Sequence, residues 1–372
     1  MRFLVLAFLL FFIPLSAKKS STLRPAIPID KSSEIVFGMS GSLTGHFGFY
    51  GISIVHAIQA CFNKVNDTGG IGGKKLRLLC MDDQGRAEQT SANIQEMREQ
   101  NIDMFLGVMG TRGILSTLPM VKAKQIALLF PWGGDNALHD ATLTNLVNGP
   151  GYLQPQLELL VDHIVNKIHL KNISIIHADD DFSTNAGRYL VSLLKKHQLN
   201  PLNVQYYNRF TMDIQTPAHR LIQQDPRVVI CISTSIPTLK LINYFFRSGH
   251  FGTQFFGIDS TFLVQKIAKK SRGINFQYAS PVPNPSTSTI PLAQHYRNDL
   301  KKYFPDDPVS ILSFTYYTAA SIIVQALSSL PSITANALVE QIGTMTKTDL
   351  QGFAVTFDPS NRQAFGQKTW LI

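Results

Sequence analysis

Three cysteines in 372 residues are too few for a disulfide framework. Cys61, Cys80 and Cys231 also lack the CxxC spacing of a zinc or redox site. Their favoured reading is buried free thiols, with a bridge between Cys61 in a helix and Cys80 in the next strand as the alternative. Charge is sparse too: 16% of residues are Asp, Glu, Lys or Arg, against 44% hydrophobic, a balance that excludes disorder. No run beyond the N-terminus has the roughly 20 apolar residues needed to span a bilayer.

Several catalytic signatures are missing. No HExxH is present, and Gly38-Met39-Ser40-Gly41-Ser42 lacks the final glycine of a GxSxG elbow. "HADDDF" (177–182) offers metal-ligand residue types, but it stands at a strand end where aspartate caps helices. The glycine-rich "GGIGGKKLRLLCMDDQG" (69–85) invites comparison with a phosphate loop and fails it. The spacing is one residue short, Lys75 replaces the Mg²⁺-binding hydroxyl, and the glycines precede a strand where a phosphate loop must follow one. They end a helix and turn the chain into the next strand, whose carboxyl end Asp82-Asp83 mark. No enzyme, metal site or cofactor is expected.

The formal charge is +9, and +8 without Arg2. Its carriers are scattered pairs (Lys74-Lys75, Lys195-Lys196, Lys269-Lys270, Lys301-Lys302) of the kind found on solvated surfaces, so no nucleic-acid partner is expected.

What is present begins with a leader. Arg2 precedes 13 apolar residues (3–15), and Ser16-Ala17 gives a small-residue cleavage point, so residues 1–17 read as a secretory signal cut after Ala17. The first cysteine is Cys61, so no lipid anchor is expected and the mature chain should be soluble in the periplasm. After a Ser/Pro-rich segment (18–33), short apolar runs alternate with helical patterns. The first series holds "EIVFGMS", a helix over 50–66, "KLRLLCM", "DMFLGVM" and "IALLF"; a second holds "NISIIHA", "NVQYYN", "VVICIS" and "TQFFGID". Repeated βα units imply α/β architecture: two doubly wound, Rossmann-like lobes with parallel sheets. Breaks near 148–151, 280–285 and 350–352 divide the chain into lobe 1 (34–148 and 285–350) and lobe 2 (149–284 and 351–372). Ligands bind outside the carboxyl ends of such strands, which places a ligand cleft between the lobes.

"SGSLTGHFGFYG", "NDTGGIGGKKLRLLCMDDQG", "GVMGTRGILSTLP", "QIALLFPWGG", "DDDFSTNAG" and "FRSGHFGTQFFGID" occur in an order that resembles the type I periplasmic binding proteins of ABC transporters, leucine/isoleucine/valine-binding branch. The resemblance covers nearly all of the mature chain. It implies a monomer that captures an amino-acid-like small molecule by lobe closure and presents it to a membrane permease; sensing through a partner receptor is the alternative. By position, Thr111 matches the hydroxyl that meets the ligand carboxylate, and Gly133, Gly134 and Asp135 match the backbone donors. Phe182 matches the aromatic residue and Asp259 the acid that meet the ammonium. Thr234 and Ser235 lie on a loop that faces the cleft. Arg112 stands where many members have a small residue or proline: it either clamps an anionic group or is a solvated surface charge. Trp132 offers a stacking or cation–π face. Asp135 brings a negative charge to a loop usually neutral, and Phe182 lacks the hydroxyl of the commoner tyrosine.

Overall fold

The computed structural model describes residues 29–149, 153–268, 274–360, 362–365 and 368–372. The signal sequence and most of the Ser/Pro-rich segment lie outside the described residues, as does the Lys269-Lys270 pair.

The first sheet begins with β1 (Glu34–Gly41), followed by α1 (Gly48–Asp67), β2 (Lys75–Asp82), α2 (Ala87–Glu99), β3 (Met104–Leu106), α3 (Thr111–Lys122), β4 (Ala127–Leu129) and β5 (Leu146–Val147). Its strand order is β2-β1-β3-β4-β5, all parallel. β1 is buried on both faces, which is why it reads as a continuous apolar run. Phe37 packs on Phe62 of α1 with ring centroids 5.5 Å apart, while Val36 turns to the opposite layer beside Ile94, Met97 and Ile114.

The second sheet takes α4 (Gln154–Val161), extended by a π-helical turn (Asp162–Lys167), then β6 (Ile173–Ala178), α5 (Asp181–Lys196) and β7 (Val204–Tyr207). It continues with α6 (Gln215–Ile222), β8 (Val228–Ile232), α7 (Ser235–Arg247), β9 (Gln254–Gly257), α8 (Phe262–Ala268) and β10 (Phe276–Ser280). The order is β14-β10-β9-β8-β6-β7, parallel except for the terminal β14 (Trp370–Leu371). Both sheets reverse direction of growth next to their first strand, at β1/β3 and at β6/β8. Each reversal leaves an open crevice at the carboxyl ends.

The chain then returns to the first sheet through α9 (Pro291–Tyr303), α10 (Ile311–Ser328) and α11 (Ala335–Gly343). α10 corrects one sequence expectation, because it is long and apolar enough to cross a membrane. It is instead a core helix, 78% buried and packed on α1. A helix surrounded by protein is apolar all round, and composition alone does not separate it from a membrane span.

A second correction concerns 350–352. Gln351 (φ 54°) and Gly352 (φ 86°) form the two-residue turn of a hairpin between β11 (Thr348–Leu350) and β12 (Phe353–Asp358), with no passage between lobes there. β12 pairs with β13 (Gln363–Phe365), where the Ala364 N–H donates to Asn148 O at 3.0 Å and Arg362 Nε donates to Leu146 O at 3.1 Å. This hairpin thus leans on the first sheet. We propose that the lobes join at three passages: 148–153, 281–290, and between Phe365 and Trp370.

The cysteines are free thiols, with no bridge between Cys61 and Cys80, and burial pushes both of these thiols up to about 12. The glycines after α1 behave as read. The Gly70 N–H donates to Val65 O at 3.0 Å, closing the helix. Gly72 and Gly73 (φ 57° and 80°) turn the chain so that Ile71 and Lys74 pair. A Cβ on Gly70 (φ 81°) would stand 2.0 Å from Lys74 O, whereas one on Gly72 meets nothing within 4 Å. Gly70→Ala should therefore lose on the order of 3 kcal/mol, against about 1 kcal/mol for Gly72→Ala, in urea unfolding. Equal losses would contradict this geometry.

Candidate functional site: the cleft between the lobes

The carboxyl-terminal loops of both sheets enclose one cleft of about 520 Å³. The first sheet contributes Ser42 after β1, Gly85 and Arg86 after β2, Met109 to Thr111 after β3, and Trp132-Gly133 after β4. The second contributes 179–183 after β6, 208–210 after β7, Ser233-Thr234 after β8, and 258–260 after β9.

Paired aspartates brace the first of these loops. The Asp82 carboxylate accepts from the Leu43 N–H at 2.9 Å and from Thr44 Oγ1 at 2.5 Å. Asp83, buried, accepts from Ser40 Oγ, Thr90 Oγ1 and the Gly85 N–H. The glycine-rich stretch thus ends as a bracket for the cleft wall. β3 and β4 stay paired beyond their ends: Trp132 N–H donates to Val108 O at 2.8 Å and Gly110 N–H to Trp132 O at 3.0 Å. Trp132 is held there against Tyr50, the two rings stacked at 5.4 Å and 21°. A Cβ on Gly133 would come within 2.7 Å of Ile114 and 3.1 Å of the Thr111 nitrogen, so the chain can pass this close to the start of α3 only as glycine.

Of the sequence-predicted residues, Thr111, Arg112, Trp132, Gly133, Phe182, Thr234 and Asp259 line this cleft. Thr111 opens α3, and its Oγ1 accepts from the Gly134 N–H at 3.3 Å, tying the β3 and β4 loops together. Gly134 and Asp135 face a smaller neighbouring cavity of about 330 Å³, bounded from the main cleft by Phe182 and Leu153, which line both. Asp135 caps its own turn through the Ala137 N–H and accepts from Asn185 Nδ2 of the opposite lobe. Ser235 lies behind the cleft wall: its N–H donates to the Tyr50 hydroxyl at 3.2 Å and its Oγ to Ser260 O at 3.2 Å. Arg112 is an exposed side chain paired with Asp181 across the mouth of the cleft at 2.8 Å. In "HADDDF", Asp180 caps α5 by accepting from the Ser183 N–H at 2.7 Å, the helix-cap reading. No metal-binding cluster occurs among the described residues.

Two groups escaped the sequence reading, Arg209 on the cleft lining and Tyr50 behind its wall. Tyr50, 4% exposed, reaches from α1 across to the second lobe, its hydroxyl linking the Ser235 N–H and Ser260 O. Arg209 follows β7, its guanidinium 4.9 Å over the Phe47 ring of the first lobe and 5.2 Å from Phe210. Both are defined by contacts between loops far apart in sequence. The only local hint is the aromatic spacing of "HFGFYG" and "YYNRF".

Asp259 dominates the electrostatics. It is 8% exposed, its N–H donates to Gln156 Oε1, and no cation pairs with it among the described residues. Burial raises its carboxyl to about 7, against the opposing pull of the Gln156 side chain and the Ser260 N–H.

The sequence from 34 to 371 matches the periplasmic binding protein family over nearly the whole described chain. The chain belongs to that family. It is 22% identical over 359 residues to the Leu/Ile/Val-binding protein homolog 7 of Brucella suis biovar 1 (strain 1330), covering 89% of this chain and 87% of the relative. The fold is shared with a possible leucine/isoleucine/valine-binding protein from Rhodopirellula baltica SH 1 (TM-score 0.82, 24% identity, 93% and 95% of the two chains). It is shared also with the branched-chain amino acid transporter substrate binding protein LivJ of Streptococcus pneumoniae in complex with isoleucine (TM-score 0.78, 12% identity, 91% and 96%). The present binding protein is therefore a two-lobed member of a solute-binding family.

The state of Asp259 predicts a trade between stability and binding. The folded protein holds this proton more tightly than the unfolded chain, so stability falls as pH rises from about 4 to 7 and the loss is complete above 7. At about 1.4 kcal/mol per pH unit, the full penalty is about 4 kcal/mol. Asp259→Asn, which removes the charge and keeps the shape, should stabilise the ligand-free protein by about 2–4 kcal/mol at pH 8 and by little at pH 4. Denaturant titrations at both pH values check this; a variant less stable than the parent at pH 8 would contradict it.

Proposed function

We propose that this protein is the extracytoplasmic receptor of an ABC importer, secreted by its N-terminal signal. It binds a small ligand with a cationic amino group, an amino acid or a close relative, by closure of its two lobes. The observation that carries this reading is Asp259: a carboxylate buried at the cleft wall with no cation beside it among the described residues. A desolvated carboxylate is stable only with a cationic or multiply donating partner, and a ligand ammonium supplies both.

The opposite wall suits the other end of such a molecule. Thr111, Arg112 and Gly113 begin α3 with backbone N–H groups that the helix itself does not use, and the helix dipole favours an anion there. An α-carboxylate fits that wall and the ammonium fits Asp259, so the ligand joins the lobes. Contacts across the mouth (Arg112–Asp181 and Asp135–Asn185) hold the closed form, together with the buried Tyr50 hydroxyl on Ser235 and Ser260. The permease then reads the closed form, as the family's transport role implies.

Melting of the protein with a panel of amino acids at pH 8 tests the reading. At a hundredfold excess over Kd a true ligand adds about 2.7 kcal/mol, a rise of several degrees. Carboxylates lacking the amino group should give none. Asp259→Asn should weaken binding by roughly 30-fold or more. In the parent, affinity should fall about tenfold per unit below pH 7 as Asp259 takes up its proton. Equal binding of amines and their desamino analogues would overturn the proposal.

A further inference from the structure

Arg209 gives the cleft a second charged pole. Its Nε is buried without a hydrogen-bond partner. One terminal nitrogen meets Asp180 Oδ2 only at 3.8 Å, while the other oxygen of Asp180 is engaged in capping α5. The second nearby acid, Asp179, is already bonded by Asn208 Nδ2 and by the Arg209 backbone N–H. Phe47 and Phe210 flank the guanidinium and fix its plane. With Asp180 no nearer than 3.8 Å, the part-exposed guanidinium keeps terminal N–H groups to offer a carboxylate in the cleft it lines, the paired donation that arginine favours.

The position of this pole sets the shape of what it recognises. Asp259 follows β9 and Arg209 follows β7, with β8 and β6 between them. Three strand spacings separate the two backbones by roughly 14 Å, and the reach of both side chains shortens the gap to the length of a small extended molecule. Along this line Trp132, Tyr50 and Phe47 form successive ring contacts at 5.4 and 6.4 Å, ending at Arg209. The cleft thus runs from Asp259, past Trp132 and Phe47, to an arginine flanked by Asp179 and Asp180.

We propose that Arg209 receives a second anionic group of the ligand, so that the ligand class is an amino acid whose side chain ends in a carboxylate. The proposal rests on the reading of Asp259 as the ammonium site. Its probes are L-glutamate, L-2-aminoadipate and L-leucine, measured by calorimetry on the parent and on Arg209→Gln and Arg209→Lys. One of the two acidic probes should bind the parent at least tenfold more tightly than leucine. Arg209→Gln should lose at least tenfold more affinity for that probe than for leucine. Arg209→Lys, which keeps the charge without the fork, should fall between. Leucine binding as tightly as both acidic probes, or a uniform loss for all three with Arg209→Gln, would overturn the proposal and leave the ammonium site standing. If no amino compound binds the folded parent at all, the reading of Asp259 falls first and this one with it.

Discussion

A carboxylate removed from water without a cation beside it is held in the folded state only by what surrounds it, at a cost of several kcal/mol. Asp259 is in this position, and the arrangement of the cleft follows from it. Burial raises its carboxyl to about 7, so at physiological pH it stands divided between a neutral form that the empty cleft tolerates and a charged form that an ammonium would stabilise. Gln156 fixes its backbone from below, and the buried hydroxyls of Tyr50, Tyr278 and Tyr316 lie within reach of its field. A site of this kind is an energetic asymmetry built into the second lobe, and under the proposed function a ligand ammonium would relieve it.

The scaffold makes such a site possible because parallel strands place all their carboxyl ends on one edge. Two sheets built this way, facing each other by that edge, bring eight loops together. Each loop is anchored by its own lobe: the β1 loop by Asp82 and Asp83, the β3 and β4 loops by their continued pairing, the β6 loop by the Asp180 cap. Under the proposed closure, rigid anchoring would let the passages between the lobes absorb the motion while the site geometry within each lobe is kept. Tyr50 shows how closely the halves fit, since one hydroxyl of the first lobe serves both a donor and an acceptor of the second.

Much of this was legible in the sequence. The βα alternation gave the two parallel sheets, and the residues at strand ends (Thr111, Gly133, Thr234, Asp259) reached the cleft because the strand end is where such a fold exposes its loops. β5 and β10 were not anticipated: β5 is two residues long, and β10 runs directly into the proline-rich passage that obscures it. The turn at Gln351-Gly352 was misread because a two-residue hairpin turn and a flexible passage share a glycine signal. Gly134, Asp135 and Ser235 fall just outside the lining of the main cleft, since which side of a loop faces it depends on partners such as Asn185 and Tyr50. Arg209 was invisible for the same reason: the Phe47 ring beneath it lies some 160 residues away and on the other lobe.

The ionisation of Asp259 is the most direct measure of the account. A carbon-13 NMR titration of the labelled aspartate carboxyls, with Asp259→Asn to assign the resonance, reports it in the ligand-free protein. The account predicts a midpoint near 7 for this one carboxyl, falling by several units when an amino-acid ligand occupies the cleft. A midpoint near the ordinary 3.8, or one that does not move when the cleft is filled, would contradict it.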